Sequence, residues 1–552
     1  MERPRIHCIL LTSMLLLFLV LVQLVRIQIV GVVAGRALAQ EAVNQRTPGI
    51  PLEVARGDIL DRNQESLTGE GTRWSVVAFP QIVRQWPDIP RHIAHALNID
   101  LSTLHMDITG WNGPLRVQIA GEVDEQLAET IAEASWPGMV AVQDHLRYGH
   151  DALARHIVGY IRPNAYCHPQ DNVGEMGLEA RYNHWLKGYD PMQLVACVDA
   201  NHHLIDGLGY RIRPSTDSVA HSVCLTIDAE FQRIVEEEMD RAGVCRGAVL
   251  ILDPYSGAVL AMASRPNFDQ NHPEAAFATQ NALINAAVSP YLPGSIFKLV
   301  VAAAALQEGR VSTGDAFLCN GSMVVGGRTF QCTRAHGELT FEEAFAHSCN
   351  VVFIQLAKEL GPALLTDYAH ALGLGMKTGL EVDGESSGSL PLARTMGEQD
   401  VANLALGQGD TTITPLQAAV LVATLVNDGV RPVPWLVQEV SNEVTGQLVW
   451  KREPPSGVRV LGIDTARTLR LLMFHVTTYG TGQDAQIVQR AAGKTGSAQT
   501  LTGSPSHAWF AGFSPFYVPR YVMVVFAERA GAGGTVAAPL FAAIMSRILA
   551  GT

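Results

Sequence analysis

Tyr291-Leu-Pro-Gly-Ser-Ile-Phe-Lys-Leu-Val-Val-Ala-Ala-Ala-Ala305 is a turn that runs into an apolar helix. Pro293 and Gly294 cannot continue a helix backwards, so Ser295 falls in its first turn, and Lys298 lies one turn on along the same face. A lysine at the head of a helix with no other polar residue is headed for burial, where its ammonium loses pKa and can take a proton from a neighbouring hydroxyl. Standing alone, S-x-x-K reads as an N-cap serine before a solvated lysine. The uninterrupted apolar helix argues against that reading.

Two more polar groups follow in the same half of the chain. Ser348-Cys349-Asn350 interrupts a helical pattern over Phe341–Leu360, so its polar side chains either cap a break or point into a site. Lys494-Thr495-Gly496-Ser497 sits among small residues, the texture of an edge strand beside which an extended peptide can lie while the lysine and threonine hold a carboxylate. Lys377-Thr378-Gly379 spells the same triplet, but in a glycine-broken stretch that reads as a loop.

Around these motifs, apolar runs at Val223–Ile227, Gly247–Leu252, Ala258–Ala263, Ala508–Phe513 and Arg520–Phe526 read as strands. Helical patterns follow Asp228, cover Ser295–Leu306, Phe341–Leu360 and Pro415–Asn427, and begin again near Pro539. Strands at both ends with helices between predict an α+β fold, one antiparallel sheet covered by helices, over 221–552. Before it, short apolar runs broken by prolines predict an irregular α+β module over 31–220, with a helix at Ala34–Gln45 and another at Asp124–Ala134.

The whole chain has 552 residues, 47% of them apolar; 40 basic against 53 acidic residues give a net charge of −13, which excludes a nucleic-acid partner. Residues 1–30 predict a cytoplasmic stub and a single transmembrane helix. Ile6–Val25 is almost wholly apolar and long enough for a bilayer core of ~30 Å, and Arg3 and Arg5 precede it. A cleaved signal peptide ending at Ala37-Leu38-Ala39 is the competing reading. Eight cysteines are too few for a disulfide scaffold, and no C-x-x-C or His/Cys cluster suggests a metal. Cys319, Cys332 and Cys349 stand out. They suit either a Cys319–Cys332 clip with Cys349 as a buried filler, or a redox switch through Cys332 and Cys349 beside the second motif.

Taken together, the three motifs resemble the S-x-x-K, S-x-N and K-T-G set of class B penicillin-binding proteins. The resemblance extends to Arg56-Gly-Asp-Ile-Leu-Asp-Arg-Asn63, Arg147-Tyr148, His156–Tyr160 and Gly177-Leu-Glu179, which look like the blocks of that family's pedestal (dimerisation-like) domain. Asp253–Gly257 and Gly407-Gln-Gly409 look like its transpeptidase framework. The resemblance implies a membrane-anchored peptidoglycan D,D-transpeptidase with its catalytic domain outside the cell. Ser295 would be acylated, Lys298 would deprotonate it, Ser348 would relay the proton and Asn350 would hold the donor peptide. Lys494, Thr495, Gly496 and Ser497 would bind the terminal carboxylate and help form the oxyanion hole. The implied partners are stem peptides ending in D-Ala-D-Ala, an acceptor amine, β-lactams and a membrane-embedded glycosyltransferase; no cofactor and no metal is implied. A D,D-carboxypeptidase or β-lactamase-type hydrolase, and a scaffold or penicillin sensor, are the alternatives. Cysteine inside the second motif is similar to sporulation-type members.

Overall fold

In a computed structural model of the protein, the described residues are 3–25, 32–33, 36–37, 49–51, 56–69, 71–86, 88–96, 114–116, 123–163, 172–188, 193–199, 201–213, 220–499 and 505–551. They fall into two compact units. One unit comprises stretches of Met1–Ala55, Gly71–Leu146 and Tyr189–Ser218; the other comprises Arg56–Glu70, Arg147–Gly188 and Val219–Thr552. The second unit thus takes in two earlier segments as well as the chain from Val219 onward.

The first unit is small and irregular. Gly71–Ala78 pairs with Met139–Leu146 and Leu115–Arg116, and Gln193–Ala196 lies between Gly49–Pro51 and Tyr210–Arg213. The helix Glu125–Ala134 begins where its sequence predicts, with the Asp124 carboxylate accepting from the Leu127 N–H at 2.8 Å. Within the stretch expected to be helical at Ala34–Gln45, Arg36–Ala37 instead pairs as a short strand with Val32–Val33; the rest lies outside the described residues. The N-terminal helix is Arg3–Val25, and its side chains from 10 to 25 are mostly exposed leucine, valine and phenylalanine. Among the described residues no helix is long and apolar enough to cross a membrane.

The second unit is organised by one antiparallel sheet. Its strands are β1 (Gly247–Leu252), β2 (Val259–Arg265), β7 (Ala492–Ala498), β8 (His507–Ser514) and β9 (Tyr521–Ala527), in spatial order β2-β1-β9-β8-β7. Both faces are buried, so the period of two sorts side chains into two cores. Leu250, Val524, Phe526 and Trp509 face one layer; Val249, Ile251, Val525 and Phe510 face the other. The first layer holds α2 (Lys298–Gln307), α4 (Asn350–Ala371) and α5 (Pro415–Val426); the second holds α1 (Ala229–Arg241) and α6 (Ala537–Ala550). Asp228 caps α1 through the Phe231 N–H, and a Thr414–Gln417 capping box starts α5. Beside this core, four short strands form two hairpin pairs. β3 (Ala316–Cys319) pairs with β6 (Gly337–Thr340), and β4 (Ser322–Val325) pairs with β5 (Arg328–Gln331).

The blocks from 56–63 and 147–179 meet in this unit. Glu179, wholly buried, accepts from the guanidiniums of Arg56 and of Arg147 (2.7 Å to Nε) and from the Tyr148 hydroxyl at 3.2 Å. A buried carboxylate needs such pairing, because losing one partner strands a charge out of water.

Candidate active site

Ser295 lies in a 3-10 turn, Gly294–Phe297, that continues as α2. The turn is tied down on two sides. The Gly294 N–H donates to the Gly407 carbonyl at 3.0 Å, and the Trp509 indole donates to the Leu292 carbonyl at 3.1 Å. Gly294 has φ 55°, and a side chain there would meet Ser497 and Ala498 backbone atoms at 3.1 Å. The glycine thus lets the serine turn lie directly against the end of β7. Ser295 is half-buried, whereas Lys298 and the apolar residues after it are fully buried.

The expected helix over Phe341–Leu360 is in fact two. α3 (Phe341–Ala346) ends, Ser348 takes a left-handed conformation at φ 56°, and α4 starts at Asn350. This kink is what aims the polar groups. The Lys298 ammonium donates to the Ser348 carbonyl (2.7 Å), the Ser348 hydroxyl (3.1 Å) and Asn350 Oδ1 (2.6 Å). A left-handed serine costs ~1–3 kcal/mol, offset here by those bonds. Asn350 is held further by its Nδ2 donating to the Gln331 carbonyl at 2.8 Å.

β7 is the outer strand of the sheet, paired on one side only, by β8. Lys494, fully buried, donates to the Ser348 hydroxyl at 2.9 Å, so that one oxygen sits between two lysines. Thr495 Oγ1 is 2.6 Å from Thr481 Oγ1, and Ser497 is exposed, its Oγ accepting from the Gly533 N–H. The structure therefore gathers Lys298, Ser348, Asn350 and Lys494 through direct bonds, with the Ser295 turn packed beside β7. Among the described residues, none of the hydrogen bonds of Lys298 goes to Ser295. The repeated triplet at Lys377–Gly379 lies in a loop, where the Glu385 carboxylate accepts from Thr378 and Gly379.

Burial sets the electrostatics. It brings Lys298 down to about 8, against the opposing pull of the Cys332 and Cys349 sulfurs; Lys494 falls well below the ordinary lysine range through burial and then the Lys298 charge. The rings of Phe353 and Phe345 lie 5.3 and 5.9 Å from the two ammonium groups. The Lys298 charge disfavours a second positive charge on Lys494 across Ser348.

The three singled-out cysteines do converge, but as free thiols. Cys332 and Cys349 sulfurs are 3.9 Å apart, and no Cys319–Cys332 clip forms. The reading that found no His/Cys cluster is overturned: His336 joins the three, the four ligand atoms lying within 4.8 Å of one another. Sequence spacing hid it, because the residues come from strand ends and a helix break, not from one short motif. Thr481, Gln331 and the two phenylalanines were also missed; no local pattern marks them.

With this geometry in view, the relatives are informative. Residues 247–546 match the penicillin binding protein transpeptidase domain, and residues 51–206 match the penicillin-binding protein dimerisation domain. The chain belongs to the penicillin-binding protein transpeptidase family, in its class B form. It is 30% identical to stage V sporulation protein D of Bacillus subtilis, over 93% of this chain and 81% of that one. It is 28% identical to the peptidoglycan D,D-transpeptidase FtsI of Escherichia coli, over 90% and 84%. Among solved structures, penicillin binding protein 3 of Mycobacterium tuberculosis complexed with aztreonam is similar at TM-score 0.65 and 25% identity, covering 91% of this chain and 96% of that one. A chain from a peptidoglycan synthase complex that coordinates polymerization and crosslinking is similar at TM-score 0.70 and 28% identity, covering 98% of each.

Proposed function

We propose that this protein is a peptidoglycan D,D-transpeptidase that cross-links stem peptides through an acyl-enzyme on Ser295. The observation that carries the reading is the Lys298–Ser348–Lys494 chain of hydrogen bonds packed beside an open edge strand. A donor peptide lying along β7 would present its terminal carboxylate to Lys494 and Thr495, while Asn350 holds its amide. Lys298, with its pKa lowered to about 8, takes the Ser295 proton as Oγ attacks the penultimate D-Ala carbonyl. The backbone N–H groups of Ser295 and Ser497 stabilise the oxyanion. The proton passes by Ser348 to the leaving D-Ala nitrogen, and an acceptor amine then displaces Ser295.

We further propose that the helix Arg3–Val25 anchors the protein in the bacterial cell membrane. Its row of exposed leucines needs an apolar cover, which lipid would supply. A membrane-embedded glycosyltransferase is the partner this arrangement suits, in keeping with the synthase-complex relative.

The test is covalent labelling by a fluorescent penicillin of the wild type, Ser295→Ala and Lys298→Ala. A labelled band that vanishes in Ser295→Ala supports the reading. A folded wild type that never labels, or an undiminished band in Ser295→Ala, sinks it.

A further inference from the structure

We propose that Cys319, Cys332, His336 and Cys349 form a closed tetrahedral zinc site that pins the β3–β6 hairpins to the turn carrying Ser348 and Asn350. The zinc site stands independently of the transpeptidase reading; only its effect on acylation rests on it.

The donor set comes first. Three thiols and one imidazole are ligands that soft and borderline divalent metals favour, and Cys3His is a recurrent structural zinc set. Their positions fit as well. Zn–S bonds of about 2.3 Å and a Zn–N bond of about 2.0–2.1 Å at tetrahedral angles give S···S edges of about 3.8 Å and S···N edges of about 3.6 Å. Cys332 Sγ lies 3.9 Å from Cys349 Sγ and 3.6 Å from His336 Nδ1, and no ligand atom is more than 4.8 Å from another. A disulfide would need the two sulfurs about 2.0 Å apart and would leave Cys319 and His336 without a role. Burial points to a structural centre, since Cys319 and Cys349 are inaccessible and Cys332 and His336 are half-buried, with four protein ligands and no place for water.

The surroundings are arranged for such a centre. The Asn350 N–H donates to Cys332 Sγ at 3.2 Å, as backbone amides do toward bound thiolates. The His336 N–H donates to the Cys319 carbonyl and the Cys332 N–H to the Gly321 carbonyl, which sets the loop that presents both ligands. The hairpins also need a staple. Each is a two-stranded pair, marginal on its own, and Leu318 and Val324 are 52% and 64% exposed, leaving little apolar surface to hold the four strands. Zinc binding displaces three thiol protons to solvent and leaves a zinc trithiolate-imidazole centre of net charge −1. Because Cys349 lies between Ser348 and Asn350, that centre fixes the left-handed turn from which both bond Lys298.

The test uses the full-length protein in detergent, kept reduced and purified without chelator, with metal content measured by mass spectrometry. About one zinc per chain is expected. After zinc removal, added cobalt should give the intense visible bands of tetrahedral thiolate coordination. Cys319→Ser and His336→Ala, both away from the proposed reacting groups, should each weaken zinc binding by more than the roughly 10–100-fold that loss of an outer partner costs. Should either variant fail to fold, wild-type cobalt spectra and zinc protection of the thiols from a maleimide decide. A reduced, folded wild type with neither zinc nor a cobalt–thiolate spectrum overturns the site. So does a Cys332–Cys349 disulfide that forms with zinc in excess and leaves Cys319 free. The penicillin label plays no part in these readouts, so their failure is distinct from failure of the transpeptidase reading.

Discussion

The five-stranded sheet and the four short strands β3–β6 belong to one unit yet reach stability by opposite routes. In the sheet, every side chain of β1, β8 and β9 is buried, and two helical layers cover it. In the hairpins, most positions are exposed or half-buried, and only Val325, Phe330 and Leu339 join Cys319 in the core. One region is held by removing apolar area from water, the other by a handful of directed polar contacts. The Ser295 turn and Lys494 stand on the first, while Asn350 also leans on the second through Gln331 and Cys332. The nucleophile is thus on rigid ground and the Ser348–Asn350 turn on ground that can be loosened.

The sharpest break is chemical. Ser295→Ala should remove penicillin labelling altogether while leaving the melting temperature close to wild type, since a half-buried hydroxyl at a turn contributes little packing. Lys298→Ala should slow acylation by ~10²–10⁴-fold, read as the rate of label incorporation. A rate within a factor of two of wild type would mean another group is the base. In the sheet, Trp509→Ala should cost ~3–5 kcal/mol in denaturant unfolding, because it deletes a fully buried ring and the bond to Leu292 together. By the same measurement, Val324→Thr on the exposed face of β4 should stay within about 0.5 kcal/mol. If the two substitutions cost alike, the contrast between the regions fails. Between these lies a pH effect. Only the neutral amine of Lys298 accepts a proton, and its folded pKa is lowered to about 8, so acylation should rise with pH through a midpoint near 8. A midpoint at the ordinary lysine value near 10 would mean Lys298 is solvated when it reacts.

Much of this site could be read directly because its motifs are short and each is local. The turn before Ser295 is written in Pro293 and Gly294, and the strand at Lys494 is written in its small neighbours. What escaped was made by geometry at a distance. The polar Ser348-Cys349-Asn350 allows a break in the pattern over Phe341–Leu360, but nothing there shows the left-handed φ of 56° with which Ser348 separates the two helices. His336 stands four residues past Cys332 and thirteen before Cys349, outside the usual metal-binding spacings, and only the closing of β6 onto β3 gathers them. Composition placed the strands of the sheet well, because their runs are continuous and apolar; the hairpins, with mixed short runs, gave no comparable signal.

The glycines around Ser295 have a consequence for drug escape. A Cβ at Gly407 would sit 2.1 Å from the Gly294 carbonyl, and one at Gly496 would sit 2.9 Å from that of Pro293. This wall of the cleft is bare backbone, and any side chain added there collides with main chain that cannot step aside. Under antibiotic selection, substitutions at these positions would destroy the fold before they excluded the inhibitor. Resistance by target alteration is therefore pushed outward, to exposed neighbours such as Ser497.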